Sequence, residues 1–191
     1  MDAIMKICLV RHGETDWNRE GRWQGREDIP LNQTGIKQVT ASGKALKGKG
    51  YEVIVSSPLQ RAKTTGEIIA KETGISEIHI DPRLIESDLG DASGMNEQER
   101  REAFPDGHYP NMEDAESISN RTYACLLDSV HKFAGKNLIF TAHGNALWGI
   151  MRKIPHPPEI NRFVMKNGHY AVIEYDGKNF SIAAFDVDPN Q

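Results

Sequence analysis

Cysteine is almost missing from this chain: 191 residues hold only Cys8 and Cys125, too few and too far apart for a disulfide framework or a metal-type pair. Each sits in an apolar setting, Cys8 inside ICLV and Cys125 beside Leu126 and Leu127, so both read as buried free thiols in a reducing compartment. Aromatic residues are scarce at 7%, and positive charge is in deficit, with 23 Lys and Arg against 27 Asp and Glu for a net charge of −4. A chain with that balance has no general affinity for nucleic acid or anionic membrane surfaces. Long hydrophobic runs are lacking too. The opening MDAIMKICLV carries Asp2 and Lys6, has no small-residue cleavage site, and falls far short of the roughly 20 apolar residues that span a bilayer. Neither export nor a membrane anchor is expected, and the location reads as cytoplasmic. Without repeats, low-complexity tracts or a linker, residues 1–191 read as a single domain, within the usual range of roughly 100 to 200 residues.

What is present is an alternation of short apolar runs and amphipathic segments. KICLV (6–10) and EVIVS (52–56) predict buried strands, each delivering polar residues at its end. Between them Asn32 or Thr34 caps a helix running to about Leu46. A helix from Pro58 to Thr73 stops at Gly74, and a strand follows near 78–80. Residues 86–116 are rich in Gly, Asp, Glu, Asn and Pro, with at most a short helix at 96–103, and a long irregular segment of this kind usually carries function. A helix over 116–133, the strand NLIFTA (137–142) and a helix over 145–153 restore the rhythm. HYAVIEY and FSIAAF around Asp176-Gly177-Lys178-Asn179 predict a closing hairpin. The order implies an α/β protein, a three-layer α/β/α sandwich on a mostly parallel sheet, with ligands bound at the carboxyl ends of the strands.

Several phosphate-handling and hydrolytic patterns fail. Gly43 to Gly50 approaches a P-loop but has Gly50 where the magnesium-binding hydroxyl belongs, and it ends a helix instead of following a strand. Asp186-Val187-Asp188 lies so close to the chain end that it reads as a solvated tail. Neither cysteine has an arginine six residues on, as a cysteine phosphatase needs. No nucleophile elbow and no zinc-protease or deaminase pattern is complete.

Two histidines survive this sorting because both stand at the ends of predicted strands, each before a glycine: Arg11-His12-Gly13 and Ala142-His143-Gly144. His79, His108, His131, His156 and His169 lack that setting and read as structural, with His79 facing solvent. Arg11 adjoins the first strand-end histidine and Arg61 follows the second strand. An arginine fork suits bidentate phosphate recognition, so two arginines and two histidines can converge on one phosphoryl group.

With these residues the chain resembles the histidine phosphatase superfamily, also called phosphoglycerate-mutase-like. LVRHGETDWN (9–18), GRWQGREDIPLNQTG (21–35), SSPLQRAKTT (56–65), LIESDLG (84–90), AES with Arg121 downstream, and TAHGN (141–145) fall in the family's order. The resemblance implies a phosphoglycerate-mutase-like fold in which His12 is the nucleophile that becomes phosphohistidine. Glu86 is the proton donor, and Arg11, Asn18, Arg61 and His143 surround the phosphoryl oxygens. It further implies that the Gly144 amide joins them, that Gln24, Gly25 and Asn145 line the substrate mouth, and that neither metal nor cofactor is required.

The substrate expected is a small anionic phosphorylated metabolite, and the reaction its hydrolysis. A cofactor-dependent phosphoglycerate mutase is the alternative. Ala142-His143-Gly144-Asn145 leans toward the mutases, whereas the short stretch between Glu86 and His143 leans toward the phosphatases. A non-catalytic phospho-ligand module would have no use for Glu86. Oligomeric state, a homodimer included, is left open.

Overall fold

The computed structural model describes residues 3–160 and 165–191; Met1 and Asp2, part of the opening stretch read above, lie outside them. Six strands form one sheet: β1 (Met5–Arg11), β2 (Tyr51–Ser56), β3 (Glu77–Ile80), β4 (Asn137–Ala142), β5 (Tyr170–Tyr175) and β6 (Phe180–Val187). Their order is β3-β2-β4-β1-β5-β6. The first four run parallel, and β5 and β6 close the sheet as an antiparallel hairpin at the expected turn.

Period-two burial explains why the central strands are apolar throughout. Ile7 and Leu9 of β1, Val53 and Val55 of β2, and Leu138 and Phe140 of β4 face one cluster. Cys8, Val10, Ile54 and Ile139 face the other. A strand covered on both faces cannot alternate with polar residues. The first face is covered by α5 (Ala115–Lys132) and α6 (Gly144–Met151), through Cys125, Leu126, Val130, Leu147 and Ile150. The second is covered by α2 (Gln33–Leu46) and α3 (Gln60–Thr73), through Leu46 and Ile69. α1 (Asp16–Arg19) and α4 (Glu97–Ala103) lie in the connections.

Local chemistry sets the helix ends. Asn32 caps α2 by accepting from the Gly35 amide, and α3 ends on Gly74 at φ 82°; both devices satisfy backbone groups that a helix terminus leaves over. Asp114, inside the stretch read as irregular, caps α5. Gly43, part of the failed P-loop, lies in α2 where a β-carbon would meet Glu72 Cβ at 2.8 Å. Its smallness serves the packing of α2 on α3.

Two expectations need correction. His79 faces solvent only in part: its ring packs 4.9 Å from Phe133 and meets Glu77 at 2.9 Å, leaving the side chain 36% exposed, while Ile78 and Ile80 on the other face of β3 are exposed as well. β3 is an edge strand, and the end of α5 covers the face opposite to the one its hydrophobicity suggests. Asp186 is not in a solvated tail. It lies in β6 at φ 46° and accepts from the Lys166 amide and pairs with His169. Cys8 and Cys125 are free and buried. Among the described residues no helix is long and apolar enough to cross a membrane.

Candidate active site

β1 and β4 are neighbours in register, Arg11 beside Ala142, so the residues that follow them emerge side by side. His12 and His143 stand there with ring centroids 5.3 Å apart. The turn after His12 passes so close to the start of α2 that a β-carbon on Gly13 would lie 2.5 Å from the Gly35 carbonyl oxygen. Glycine at both positions lets the chain bring His12 down against the sheet.

A cavity of about 520 Å³ opens over this point. Arg11, His12, Asn18, Gln24, Gly25, Arg61, Glu86, Gly144 and Asn145 all line it. His143, the remaining residue expected there, is fully buried directly behind His12. Every residue singled out as a candidate is therefore brought to one place.

Three buried nitrogens at this place have no partner: Arg11 Nε, Arg61 Nε and His143 Nδ1. Buried polar groups are nearly always satisfied, so two unpaired guanidinium donors and an unpaired imidazole nitrogen beside one cavity mark a site for a polar ligand. The remaining bonds of these groups fix their orientation. Arg61 donates from Nη1 to the Glu27 carbonyl at 2.6 Å and from Nη2 to the Gly25 carbonyl at 2.7 Å. Arg11 donates from Nη1 to the Met165 carbonyl at 2.5 Å. His143 Nε2 meets the Ser57 hydroxyl at 2.7 Å.

His12 Nδ1 lies 2.7 Å from the Gly13 carbonyl oxygen. A carbonyl only accepts, so Nδ1 carries the proton and Nε2 keeps its lone pair. Burial, reinforced by the charges of Arg61 and Arg11, holds the His12 pKa well below the ordinary imidazole value. His143 is held down by the same three influences, with His12 adding to them. Burial also lowers Arg61 to about 10, still charged at neutral pH. The site thus pairs a neutral imidazole with two guanidinium groups.

Glu86 is 8% exposed. Its carboxyl accepts from the Ser87, Asn145 and Ala146 amides at 2.8, 3.2 and 3.0 Å, the last two at the start of α6. Burial raises its pKa against the pull of those amides and of Arg61 and Arg11, which favours a carboxyl that holds its proton. The turn carrying it is clamped by Arg121 of α5, which donates to the carbonyls of Arg83 and Ile85 at 2.7 Å and Glu86 at 3.3 Å. The same guanidinium grips Glu113 at 2.8 and 2.9 Å. Burial alone would raise the Glu113 carboxyl, but Arg121 outweighs it and holds it low. In the sequence Arg121 stands only as the arginine downstream of AES, and nothing local signals its clamp.

The outer part of the cavity has another character. Trp23, Leu89, Met112, Ala115 and Ile118 supply apolar walls. Trp23 is stiffened by Tyr109 edge-on at 5.2 Å and by the Arg100 guanidinium 3.8 Å over its ring. The charges here are already engaged, Arg22 by Glu20 and Glu99 and Glu113 by Arg121. Among the described residues no cluster of three or more His, Cys, Asp or Glu is arranged to hold a metal ion.

Residues 7–188 match the profile of the histidine phosphatase superfamily (branch 1). The chain is 37% identical over 183 residues to the uncharacterized phosphatase PhoE of Bacillus subtilis (strain 168), covering 95% of this chain and 94% of that protein. It is 34% identical over 185 residues to the probable phosphoglycerate mutase GpmB of Klebsiella pneumoniae subsp. pneumoniae, covering 90% and 86%. Among solved structures, Bacillus stearothermophilus YhfR superposes with a TM-score of 0.88 at 28% identity, over 98% of this chain and 100% of that one.

Proposed function

Because the chain belongs to the histidine phosphatase superfamily (branch 1), we propose that it hydrolyses a small phosphorylated metabolite in the cytoplasm through a phosphohistidine formed on His12. It is a histidine phosphatase, a phosphoric monoester hydrolase. The observation that carries the finer reading is the convergence of three unpartnered buried nitrogens, Arg11 Nε, Arg61 Nε and His143 Nδ1, around a histidine whose Nε2 is unprotonated.

Phosphoryl transfer asks for positioning and charge neutralisation more than for covalent help. Arg11, Arg61, His143, the Asn18 side-chain amide and the Gly144 backbone amide hold the phosphoryl oxygens. His12 Nε2 attacks phosphorus, the bond to the ester oxygen breaks, and Glu86 gives that oxygen its proton. Glu86, now a carboxylate, takes a proton from water as the water attacks the phosphohistidine. The phosphorus–nitrogen bond breaks, its electron pair returns to Nε2, and inorganic phosphate leaves. The raised pKa of Glu86 and the lowered pKa of His12 suit an acid and a nucleophile with these duties.

The outer end supports a substrate with one phosphate and an uncharged, partly apolar remainder. A phosphoglycerate mutase acts on substrates that carry a carboxylate and, transiently, a second phosphate. The arginine nearest that end, Arg22, already answers two glutamates. The likeness to GpmB and Asn145 after His143-Gly144 favour the mutase reading; the apolar walls favour hydrolysis. Phosphate release from 1-naphthyl phosphate and from 3-phosphoglycerate, each with and without 2,3-bisphosphoglycerate, separates them. Hydrolysis predicts release from the aryl ester without the bisphosphate. Interconversion of phosphoglycerates that depends on the bisphosphate, with little release, overturns it.

A further inference from the structure

Residues 165–169 form a short strap across the back of the phosphoryl site. The Gly168 amide donates to the Arg11 and His12 carbonyls at 3.1 and 3.2 Å, and the Met165 carbonyl takes the Arg11 guanidinium. Asp186 Oδ1 receives the Lys166 amide, and the Ser42 hydroxyl donates to the Gly168 carbonyl at 2.5 Å, so the strap is held from behind. Its one polar side chain turned toward the site is Asn167, whose Nδ2 donates to the His12 carbonyl at 3.1 Å and to Asn18 Oδ1 at 3.3 Å.

Which way each of these amides faces follows from backbone groups that have no choice. The His12 carbonyl only accepts, so the NH₂ of Asn167 must face it. The Thr15 amide, 3.1 Å from Asn18 Oδ1, only donates, so the oxygen of Asn18 must face Thr15. The Thr15 hydroxyl has one proton, and it goes to Gln24 Oε1 at 2.7 Å in preference to Asn18 Oδ1 at 3.2 Å. Asn18 Oδ1 therefore rests on two donors, Thr15 and Asn167, and its own NH₂ is left for the cavity it lines.

We propose that Asn167 is a positioning residue for phosphoryl binding, locking the Asn18 amide with its NH₂ toward the phosphoryl oxygens while tying down the backbone of His12. It touches no substrate atom itself. Without it, Asn18 keeps one donor on its oxygen and gains freedom to turn. The cost then appears in the affinity for a tetrahedral oxyanion, which Asn18 must donate to.

This proposal rests on the reading of the cavity as a phosphoryl site, and inorganic phosphate serves as the probe for both. Phosphate affinity is measured on the wild type, Asn167→Ala, the isosteric Asn167→Asp, Asn18→Ala and the Asn18→Ala/Asn167→Ala pair, with thermal midpoints recorded for each. Asn167→Ala is expected to weaken phosphate about fivefold, the scale of one hydrogen bond. Asn167→Asp, which turns a donor into an acceptor, should weaken it more. In the Asn18→Ala background the further loss on changing Asn167 should fall to less than about twofold. Equal losses in both backgrounds, or unchanged affinity in a folded Asn167→Asp protein, overturn the proposal while leaving the phosphoryl site intact. A wild type that does not bind phosphate overturns that reading and this proposal with it.

Discussion

At the inner end of the cavity the groups that meet the phosphoryl hang from the end of a strand or the first turn of a helix, Arg11 and His12 closing β1, His143 preceding α6 and Arg61 opening α3, while the Glu86 turn is clamped to the fold by Arg121. At the outer end the walls are mostly loop residues, Trp23, Leu89 and Met112, and the charges are spent on one another. The first arrangement fixes geometry, because backbone ladders and helix turns leave few degrees of freedom to groups that must meet a phosphoryl group within tenths of an ångström. The second fixes only shape and polarity, and can change its side chains without disturbing the sheet. The chemistry and the choice of substrate are thus separable in this molecule. Substitutions at the two ends should fail in different ways.

The largest separation is expected from His12→Ala. Loss of the nucleophile should lower kcat by at least about 10⁴, with thermal stability and phosphate affinity changed little. A variant that kept a tenth of the activity would place the nucleophile elsewhere.

Glu86→Gln sharpens the contrast within the inner end. General acid catalysis is worth about 10² to 10⁴ when the departing oxygen needs a proton. An alkyl phosphate should lose that much in the single-turnover phosphorylation step, and p-nitrophenyl phosphate less than about tenfold. An equal loss for both esters would give Glu86 a structural role. The pH profile carries the same information. Burial, with Arg61 and Arg11, keeps His12 neutral, so the acid limb of kcat/KM falls below pH 6.5. Burial raises Glu86, so the alkaline limb lies above the ordinary glutamate value of 4.5 and disappears in Glu86→Gln.

Arg11→Ala and Arg61→Ala should each cost about 10² to 10³ in kcat, as removal of one preorganised charge partner does, and should weaken vanadate inhibition. Arg61→Lys keeps charge without the fork that spans the Gly25 and Glu27 carbonyls, and should fall between. Normal rates in Arg61→Ala would remove it from the site.

The smallest effects belong to the outer end. Met112→Ala and Leu89→Ala should each raise KM for 1-naphthyl phosphate about threefold to tenfold, from lost apolar contact, and leave phosphate inhibition unchanged. A change in kcat as large as that of Arg61→Ala would erase the distinction between the two ends.

The inner end was also the more legible. KICLV and NLIFTA are apolar because α2, α3, α5 and α6 cover both faces of the sheet, and a polar cluster after such a run marks the edge where ligands bind. The order of motifs then brought in residues that no periodicity points to, Asn18, Gln24 and Glu86 among them. What stayed hidden depends on contacts between distant segments. Alternation along β3 identifies two faces without saying which is covered, and Phe133 covers the one with His79. Asp186 reads as a tail in the sequence because its partners, Lys166 and His169, come beside it only in the folded chain. Arg121 reaches the Glu86 turn and Asn167 reaches Asn18 across the fold, and a sequence pattern carries no distance between them.

The central claim is that phosphoryl transfer passes through Nε2 of His12. The direct measurement is a rapid acid-free quench of the enzyme with ³²P-labelled substrate, followed by peptide mapping of the label and its stability to acid and base. Label is expected on His12, lost in acid and stable in base, and absent from His12→Ala. Label on His143, label on a carboxylate, or full turnover with no labelled protein at any quench time contradicts it.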